Sequence, residues 1–129
     1  MDDKGRSSIL VVEDEPLVRF VIERHLSGVG HRVFLASDAE SAKDIVDKHG
    51  HEIDLLIADS VLPTASGEDV ATNLKEHFGA ARVLMISGYP MGRRTTDGAL
   101  PGYPFLQKPF TGSELLGKVN ELLNVKGSK

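Results

Sequence analysis

Several features are missing from this sequence, and each absence narrows what the protein can be. The chain contains no cysteine, which excludes disulfide bonds, thiolate nucleophiles and zinc–thiolate sites together. It has no apolar run close to the ~20 residues that a membrane-spanning helix needs, and residues 1–4 lack the apolar core of a signal peptide. We therefore expect a cytoplasmic protein that does not insert into a membrane.

An excess of positive charge is also missing. The formal net charge is −4 at pH 7, and the only adjacent arginines are Arg93 and Arg94. A nucleic-acid binder concentrates Lys and Arg against phosphates, so direct nucleic-acid binding is not expected. With 129 residues, 40% of them hydrophobic and 26% charged, the composition fits a single globular domain with one sizeable core.

Short β-branched runs alternate with amphipathic segments along the chain. The predicted strands are residues 9–12, 32–36, 53–58, 82–86 and 104–107. This alternation favours a parallel sheet joined by right-handed helical crossovers. The expected fold is α/β, a flavodoxin-like doubly wound five-stranded sheet in the order 2-1-3-4-5 with helices on both faces. We expect the domain to span residues 9–125, between a flexible tail at 1–8 and another at 126–129.

Capping residues mark where the predicted helices begin and end. Pro16 suits the first turn of a helix that ends at Gly28. Another helix should begin at Ser66 and stop at Gly79. Residues 90–102 hold two prolines and three glycines, so any helix there should be short. Two more helices should start at capping boxes, formed by Ser37 with Glu40 and by Thr111 with Glu114.

Ionisable and hydroxylated residues follow the predicted strands at the point where each strand ends: Glu13, Asp14, Asp59, Ser87 and Lys108. The carboxyl ends of parallel strands share one edge of the sheet, where ligands of such folds bind. Three converging carboxylates repel one another and raise at least one pKa unless a cation neutralises them. Because His and Cys are absent from this set, a hard ion is favoured, and Mg²⁺ fits best when a phosphate completes its coordination.

Lys108 and Ser87 would complement such a metal site. The lysine supplies a compact positive charge for one phosphoryl oxygen, and the serine supplies a hydroxyl donor for another. Together with the carboxylates, these residues are suited to the transfer of a phosphoryl group to an aspartate. The peptide bond before a proline can be cis, and Lys108 directly precedes Pro109.

Four motifs occur in order at these strand ends. They are ILVVEDEP at residues 9–16, DSVLP at 59–63 with Gly67, SGY at 87–89, and FLQKPF at 105–110. The chain resembles, from residue 9 to about 125, the receiver domain of bacterial response regulators and hybrid histidine kinases. The resemblance implies a phosphoacceptor domain of a two-component signalling system, which acts as a switch and catalyses only its own phosphorylation and slow self-dephosphorylation. The last motif is similar to receivers attached to hybrid kinases, which slightly favours a piece of a larger protein over a stand-alone receiver.

The resemblance also implies individual roles. Asp59 would be the phosphoacceptor, assisted by Lys108 and Ser87. Asp14 would bind Mg²⁺ directly and Glu13 would bind it through water, and the remaining ligands would be Asp59 and the backbone carbonyl of Val61.

Ser87 and Phe105 would be the switch residues. Some relatives carry Tyr at the second position, so coupling here would rest on ring packing. The residues two beyond Asp59 and Ser87 are Val61 and Tyr89, which cannot hold an attacking water well, so slow self-dephosphorylation is expected. The implied partners are a histidine kinase or a histidine phosphotransfer protein, with an unknown downstream target and with a phosphorylation-dependent dimer left open.

Two other functions are compatible with the same fold. A pseudo-receiver or flavodoxin-like interaction module would keep the fold without the phosphoryl chemistry; the retention of all five site residues weighs against it, and a failed Mg²⁺ titration would favour it. A phosphatase of the aspartyl-phosphate type would want an acid/base Asp two residues after the acceptor, where Val61 stands.

The remaining polar residues of interest are predicted to be structural or solvated. Asp54 lies an odd number of residues from Asp59, so strand alternation puts it on the other face, and we expect a structural role. The histidines have no metal-ligand spacing, and solvated positions are expected for all of them: His25, His31, His49, His51 and His77.

Overall fold

The computed structural model describes residues 7–49, 52–59, 70, 82–87 and 104–127. Its strands are β1 (Ser8–Val12), β2 (Arg32–Ala36), β3 (Leu55–Asp59), β4 (Arg82–Ser87) and β5 (Phe105–Gln107). The helices with described bounds are α1 (Pro16–Gly28), α2 (Ala39–His49) and α3 (Gly112–Gly127). Of the predicted strands, β3 differs most, because it was expected from residue 53 and begins at Leu55.

The five strands form one parallel sheet in the order β2-β1-β3-β4-β5. This confirms the predicted topology. The central strands β1 and β3 have neighbours on both sides and bury both faces, which is why residues 9–12 and 55–58 are continuous apolar runs.

Alternate side chains of the strands build a core on each face of the sheet. One core combines Leu10, Val12, Leu56 and Met85 with Ala42 and Val46 of α2 and with Val70. The other combines Ile9, Val11, Ile57 and Ile86 with Ile22 and Leu26 of α1 and with Leu115 and Val119 of α3. Helices therefore cover both faces, as the doubly wound fold requires.

Helix α1 ends at Gly28, as predicted, and the chain then turns back through Gly30. The φ angle of Gly30 is 98°, a left-handed conformation that favours glycine. The N–H of Gly30 donates to the carbonyl of Ser27 at 3.0 Å. The N–H of His31 donates to the carbonyl of Leu26 at 3.1 Å. These two bonds form a Schellman motif, which satisfies carbonyls at the end of the helix and directs the chain into β2.

The predicted capping box of α2 is wrong by one residue. The cap is Asp38, whose Oδ1 accepts the N–H of Ser41 at 2.8 Å, while the N–H of Asp38 donates to Oγ of Ser41 at 3.3 Å. Ser37 and Glu40 do not form the expected pair because the helix begins at Ala39. Asp and Ser are equally good N-caps, so two adjacent candidates could not be separated by residue type.

The capping box of α3 is confirmed. The N–H of Thr111 donates to Oε1 of Glu114 at 2.9 Å, and the N–H of Glu114 donates to Oγ1 of Thr111 at 3.0 Å. The nearby Lys108–Pro109 peptide bond is cis. Within the described part of the chain, no helix is long and apolar enough to cross a membrane.

Regular structure extends into both ranges that were expected to be tails. Ser8 belongs to β1, and its N–H donates to Oδ2 of Asp54 at 2.9 Å, which confirms a structural role for Asp54. At the other end, α3 continues to Gly127, beyond the expected boundary at residue 125.

His31 is buried, so the prediction of a solvated ring is wrong for this residue. Its Nδ1 accepts the N–H of Ser7 at 3.0 Å. Burial lowers the pKa of His31, and the negative charge of Asp54 opposes this only in part. The neutral ring therefore ties the residue before β1 to the turn after α1. His51 and His77 lie outside the described residues.

Two other histidines are half-buried and contact neighbouring elements. The ring of His49 stacks on that of Phe34 with centroids 4.8 Å apart. The ring of His25 lies against the backbone of Gly112, at the start of α3. These rings pack against the protein as well as facing solvent.

Several predictions concern residues outside the described ranges. They concern the helix from Ser66 to Gly79, the segment 90–102, the carbonyl of Val61 and the side chain of Tyr89. Of the predicted helix, the structure describes Val70, which is buried.

Candidate functional site

The carboxyl ends of β1, β3 and β5 bring the predicted acidic residues and the lysine together. Glu13 and Asp14 follow β1, Asp59 is the last residue of β3, and Lys108 follows β5. One carboxylate oxygen from each acidic residue lies within 4.8 Å of the others. Glu13 and Asp59 are buried, whereas Asp14 is exposed. The sheet edge thus carries a cluster that is partly closed from water and open on the Asp14 side.

Among the residues that the structure describes, Lys108 is the cation that contacts this cluster. Its Nζ lies 2.9 Å from Oδ2 of Asp59, 3.3 Å from Oε1 of Glu13 and 3.3 Å from Oε1 of Glu15. Burial alone would lower the pKa of Lys108, but the hydrogen bond to Asp59 and the charges of Glu13 and Asp59 outweigh it and raise the pKa. The ammonium therefore stays charged at neutral pH.

Glu13 carries the strongest sign that the cluster needs another cation. Its side chain is completely buried, and Oε2 accepts the N–H of Glu15 at 3.1 Å. Oε1 accepts no hydrogen bond from the residues that the structure describes, although the Lys108 ammonium is 3.3 Å away. Burial raises the pKa of Glu13 to about 7, and the charge of Asp59 adds to this, against the Glu15 N–H and the Lys108 charge. Repulsion between carboxylates was predicted, but burial is the larger cause.

The arrangement fits a magnesium ion. Carboxylate oxygens without His or Cys are the ligands that a hard divalent cation prefers. A buried carboxylate oxygen that lacks a hydrogen bond calls for such a partner. Glu13, Asp14 and Asp59 are the described residues that would hold the ion. The carbonyl of Val61, the fourth predicted ligand, lies outside the described residues.

Arg19 supports the position of the acidic turn. Its Nη1 donates to the backbone carbonyl of Glu13 at 2.7 Å. A guanidinium is always charged in proteins, so this bond ties the first turns of α1 to the end of β1. Sequence reasoning did not single out Arg19, because its partner is a backbone atom.

Glu15 is a site residue that the sequence reasoning missed. It is the N-cap residue of α1, yet its side chain makes no capping hydrogen bond. Its carboxylate instead reaches Lys108. The available signal was a third acid in the row Glu13-Asp14-Glu15, but its contact with a residue 93 positions away depends on the fold.

Of the two predicted switch residues, Ser87 lies at this edge, and Phe105 lies at the other end of β5. Ser87 is the last residue of β4 and is in register with Gln107 of β5. Phe105 opens β5 in register with Met85, is half-buried and packs against the core cluster that contains Leu10 and Met85. The backbone of Ser87 is thus on the same edge as Asp59 and Lys108.

Comparison with known proteins identifies the class to which this fold and acidic site belong. The family model described as response regulator receiver domain matches residues 9–120. The chain belongs to this family, which comprises the receiver domains of two-component response regulators. Such receivers act as signalling switches and partner with histidine kinases or phosphotransfer proteins.

Two curated relatives show how the domain is used in longer chains. The sensor kinase CckA of Brucella abortus (strain 2308) is 30% identical over 125 residues, which cover 95% of this chain and 13% of CckA. The two-component response regulator PhoP of Pseudomonas aeruginosa is 33% identical over 116 residues, which cover 89% of this chain and 51% of PhoP. The chain therefore spans a small part of the first relative and about half of the second.

Solved structures of receiver domains match over nearly the whole chain. The receiver domain of the hybrid histidine kinase CckA is 35% identical, with a TM-score of 0.79, and the match covers 91% of this chain and 99% of that one. A response regulator receiver domain protein from Clostridium thermocellum is 26% identical, with a TM-score of 0.83 and coverage of 94% and 97%.

Proposed function

We propose that this receiver domain accepts a phosphoryl group on Asp59, in a Mg²⁺-dependent reaction, from the phosphohistidine of a histidine kinase or of a histidine phosphotransfer protein. The observation that carries the proposal is the buried Asp59 carboxylate, 2.9 Å from the Lys108 ammonium and within 4.8 Å of the carboxylates of Glu13 and Asp14. An acceptor, a permanent cation and candidate ligands for a divalent cation thus meet at one edge of the sheet.

The chemical step uses Asp59 as the nucleophile. A carboxylate oxygen of Asp59 forms a bond to phosphorus, the phosphorus–nitrogen bond of the donor breaks, and the electron pair stays on the donor imidazole. Lys108 neutralises charge on the phosphoryl oxygens, because its compact ammonium can turn from the carboxylates toward them. The hydroxyl of Ser87 would donate to another phosphoryl oxygen.

The charge of the site explains the need for a metal. Glu13, Asp14 and Asp59 lie close together, and among the described residues the cation that contacts Glu13, Glu15 and Asp59 is the Lys108 ammonium. An incoming phosphoryl group adds further negative charge. Mg²⁺ held by Glu13, Asp14, Asp59 and the carbonyl of Val61 would neutralise the charge that gathers as the phosphoryl group transfers. Without a divalent cation, repulsion should keep the donor out.

We propose that the output of the switch is carried by Ser87 and Phe105. Ser87 would move toward the phosphoryl group, and the half-buried ring of Phe105 would repack against the core. The cytoplasmic location, the domain boundaries and a phosphorylation-dependent dimer stay predictions.

Phosphate uptake with and without metal tests the proposal. The chain is incubated with acetyl phosphate or a phosphohistidine protein, in Mg²⁺ or in excess chelator, and its intact mass is measured. We expect one phosphoryl group per chain in Mg²⁺ and almost none in chelator. No uptake in either condition, together with no Mg²⁺ binding in a titration, would favour the pseudo-receiver instead.

A further inference from the structure

The side chain of Glu15 occupies a place in the cluster that neither the metal nor the acceptor role requires. It is 61% exposed, yet its Oε1 lies 3.3 Å from Nζ of Lys108. An ammonium has three N–H donors, and three carboxylates surround this one, those of Asp59, Glu13 and Glu15. Of the three, Glu15 is the one at the mouth of the site.

The backbone of Glu15 is fixed although its side chain reaches into solvent. Its N–H donates to Oε2 of Glu13 at 3.1 Å, and its carbonyl accepts the N–H of Arg19 at 2.9 Å. An acidic side chain at an N-cap would ordinarily accept a hydrogen bond from its own helix, but this one makes no such bond. These bonds place the side chain of Glu15 within reach of Lys108.

We propose that Glu15 is a selectivity residue that restrains phosphorylation by free anionic phosphodonors. It does so in two ways: its carboxylate competes with phosphoryl oxygens for an N–H of Lys108, and its negative charge repels a donor that approaches the open side. This inference rests on the proposed phosphorylation of Asp59 and adds a determinant of which donors succeed. Glu15 acts through Lys108 and is not itself part of the bond-forming step.

The reaction with acetyl phosphate makes the charge effect measurable. A carboxylate oxygen of Asp59 bonds to phosphorus, the phosphorus–oxygen bond to the acetyl group breaks, and acetate leaves with the electron pair. Acetyl phosphate carries nearly two negative charges near neutral pH, as phosphate monoesters do, whereas phosphoramidate carries fewer. A repulsive carboxylate at the mouth should therefore slow the first donor more than the second.

The test compares Glu15→Gln with the wild type and with a control of equal charge change. The control is Glu121→Gln, since Glu121 is an exposed residue of α3 whose carboxylate lies 3.7 Å from Lys118. Initial rates of phosphoryl uptake are measured in Mg²⁺ with subsaturating acetyl phosphate and with phosphoramidate. We expect Glu15→Gln to speed uptake from acetyl phosphate about 3- to 10-fold, mainly by lowering the half-saturating donor concentration, and to speed uptake from phosphoramidate less.

Salt and folding measurements separate an electrostatic role from a structural one. The acceleration should shrink as ionic strength is raised from about 0.05 to 0.5 M, because salt screens an exposed charge, and the unfolding midpoint should stay close to that of the wild type. Equal rates in Glu15→Gln and Glu121→Gln, or the same acceleration with both donors at every salt concentration, would overturn the inference. If the wild type takes up no phosphoryl group, it is the proposed function that fails.

Discussion

The ammonium of Lys108 lies 2.9 Å from a carboxylate oxygen of Asp59, although 49 residues separate them in the chain. Asp59 is the last residue of β3 and Lys108 directly follows β5, with β4 between these strands in the sheet. A parallel sheet of this order is what places a lysine from the last strand over an aspartate from the third. The same contact leads to the first prediction.

Replacing Lys108 with Met should destabilise the metal-free protein. The change leaves the buried carboxylates of Asp59 and Glu13 without their cation, and we expect the free energy of unfolding to fall by about 1–3 kcal/mol. The added stabilisation by Mg²⁺ should be larger than in the wild type, because the lysine no longer competes for the carboxylates. Urea denaturation with and without Mg²⁺ measures both effects.

Lys118→Met is the matched control for this variant. Lys118 pairs with Glu121 at 3.7 Å on the surface of α3, and exposed pairs of this kind contribute little. Removal of the Lys118–Glu121 ion pair should change the free energy of unfolding by less than about 0.5 kcal/mol. Equal Mg²⁺ stabilisation of the wild type and Lys108→Met would contradict the account in which Lys108 competes with the metal ion for these carboxylates.

The buried ring of His31 should make stability depend on pH. Burial lowers the pKa of His31 in the folded state, whereas the unfolded state keeps the ordinary value of about 6.5. Between these values the unfolded chain binds more protons, so the free energy of unfolding falls as pH drops below about 6.5. Protonation of Nδ1 would also remove the acceptor for the N–H of Ser7.

Comparison with His31→Gln isolates this effect. Urea denaturation of both proteins between pH 5 and 7.5 should show a steeper loss of stability at acid pH in the wild type. In His31→Gln the loss of stability that comes from protonation of residue 31 should be absent, since glutamine does not titrate. The same slope in both proteins would show that His31 is not responsible.

Gly112 should be intolerant of a side chain, because α1 and α3 approach each other there. A Cβ at this position would lie 2.6 Å from Nδ1 and 2.7 Å from Nε2 of His25. Gly112→Ala should therefore lower the free energy of unfolding by about 1–2 kcal/mol, as overpacking does. In a His25→Ala background this cost should disappear.

The matched control is in the same helix. Nothing lies within 4 Å of a Cβ added at Gly117, so Gly117→Ala should raise stability by up to about 1 kcal/mol through helix propensity. Thermal denaturation of the two variants should thus give shifts of opposite sign. A stabilising Gly112→Ala would mean that the His25 ring moves aside freely.

The lifetime of the phosphoryl group should depend on the residues two beyond Asp59 and Ser87. Val61 and Tyr89 stand at these positions, and neither is suited to orient an attacking water. We expect Val61→Asn combined with Tyr89→Glu to shorten the lifetime, which can be followed by intact mass after the donor is removed. An unchanged or longer lifetime would contradict this account of slow self-dephosphorylation.

Much of the fold could be predicted because the strands are short, apolar and buried on both faces. Residues 9–12 and 55–58 are recognisable as central strands for that reason. The rule that parallel strands end on one edge then predicts from the sequence alone that Glu13, Asp14, Asp59 and Lys108 lie together. Strand order and most of the acidic cluster therefore followed from local pattern and one topological rule.

The rest depends on tertiary contacts that no local pattern encodes. His31 is buried because the turn after α1 places its ring against Ser7, and a lone histidine gives no sign of that. Glu15 reaches a lysine 93 residues away. The cap of α2 fell on Asp38 instead of Ser37, since residue type cannot decide between two adjacent good caps.

The central claim is that Asp59 is the phosphoacceptor, and the most direct test compares aspartates at the two ends of β3. Asp54 precedes the strand and bonds to Ser8, whereas Asp59 ends the strand beside Lys108. Wild type, Asp59→Asn and Asp54→Asn are incubated with Mg²⁺ and a phosphodonor, and intact mass is measured. The account predicts one phosphoryl group on the wild type and on Asp54→Asn, and none on Asp59→Asn. Equal uptake by the wild type and Asp59→Asn would contradict it.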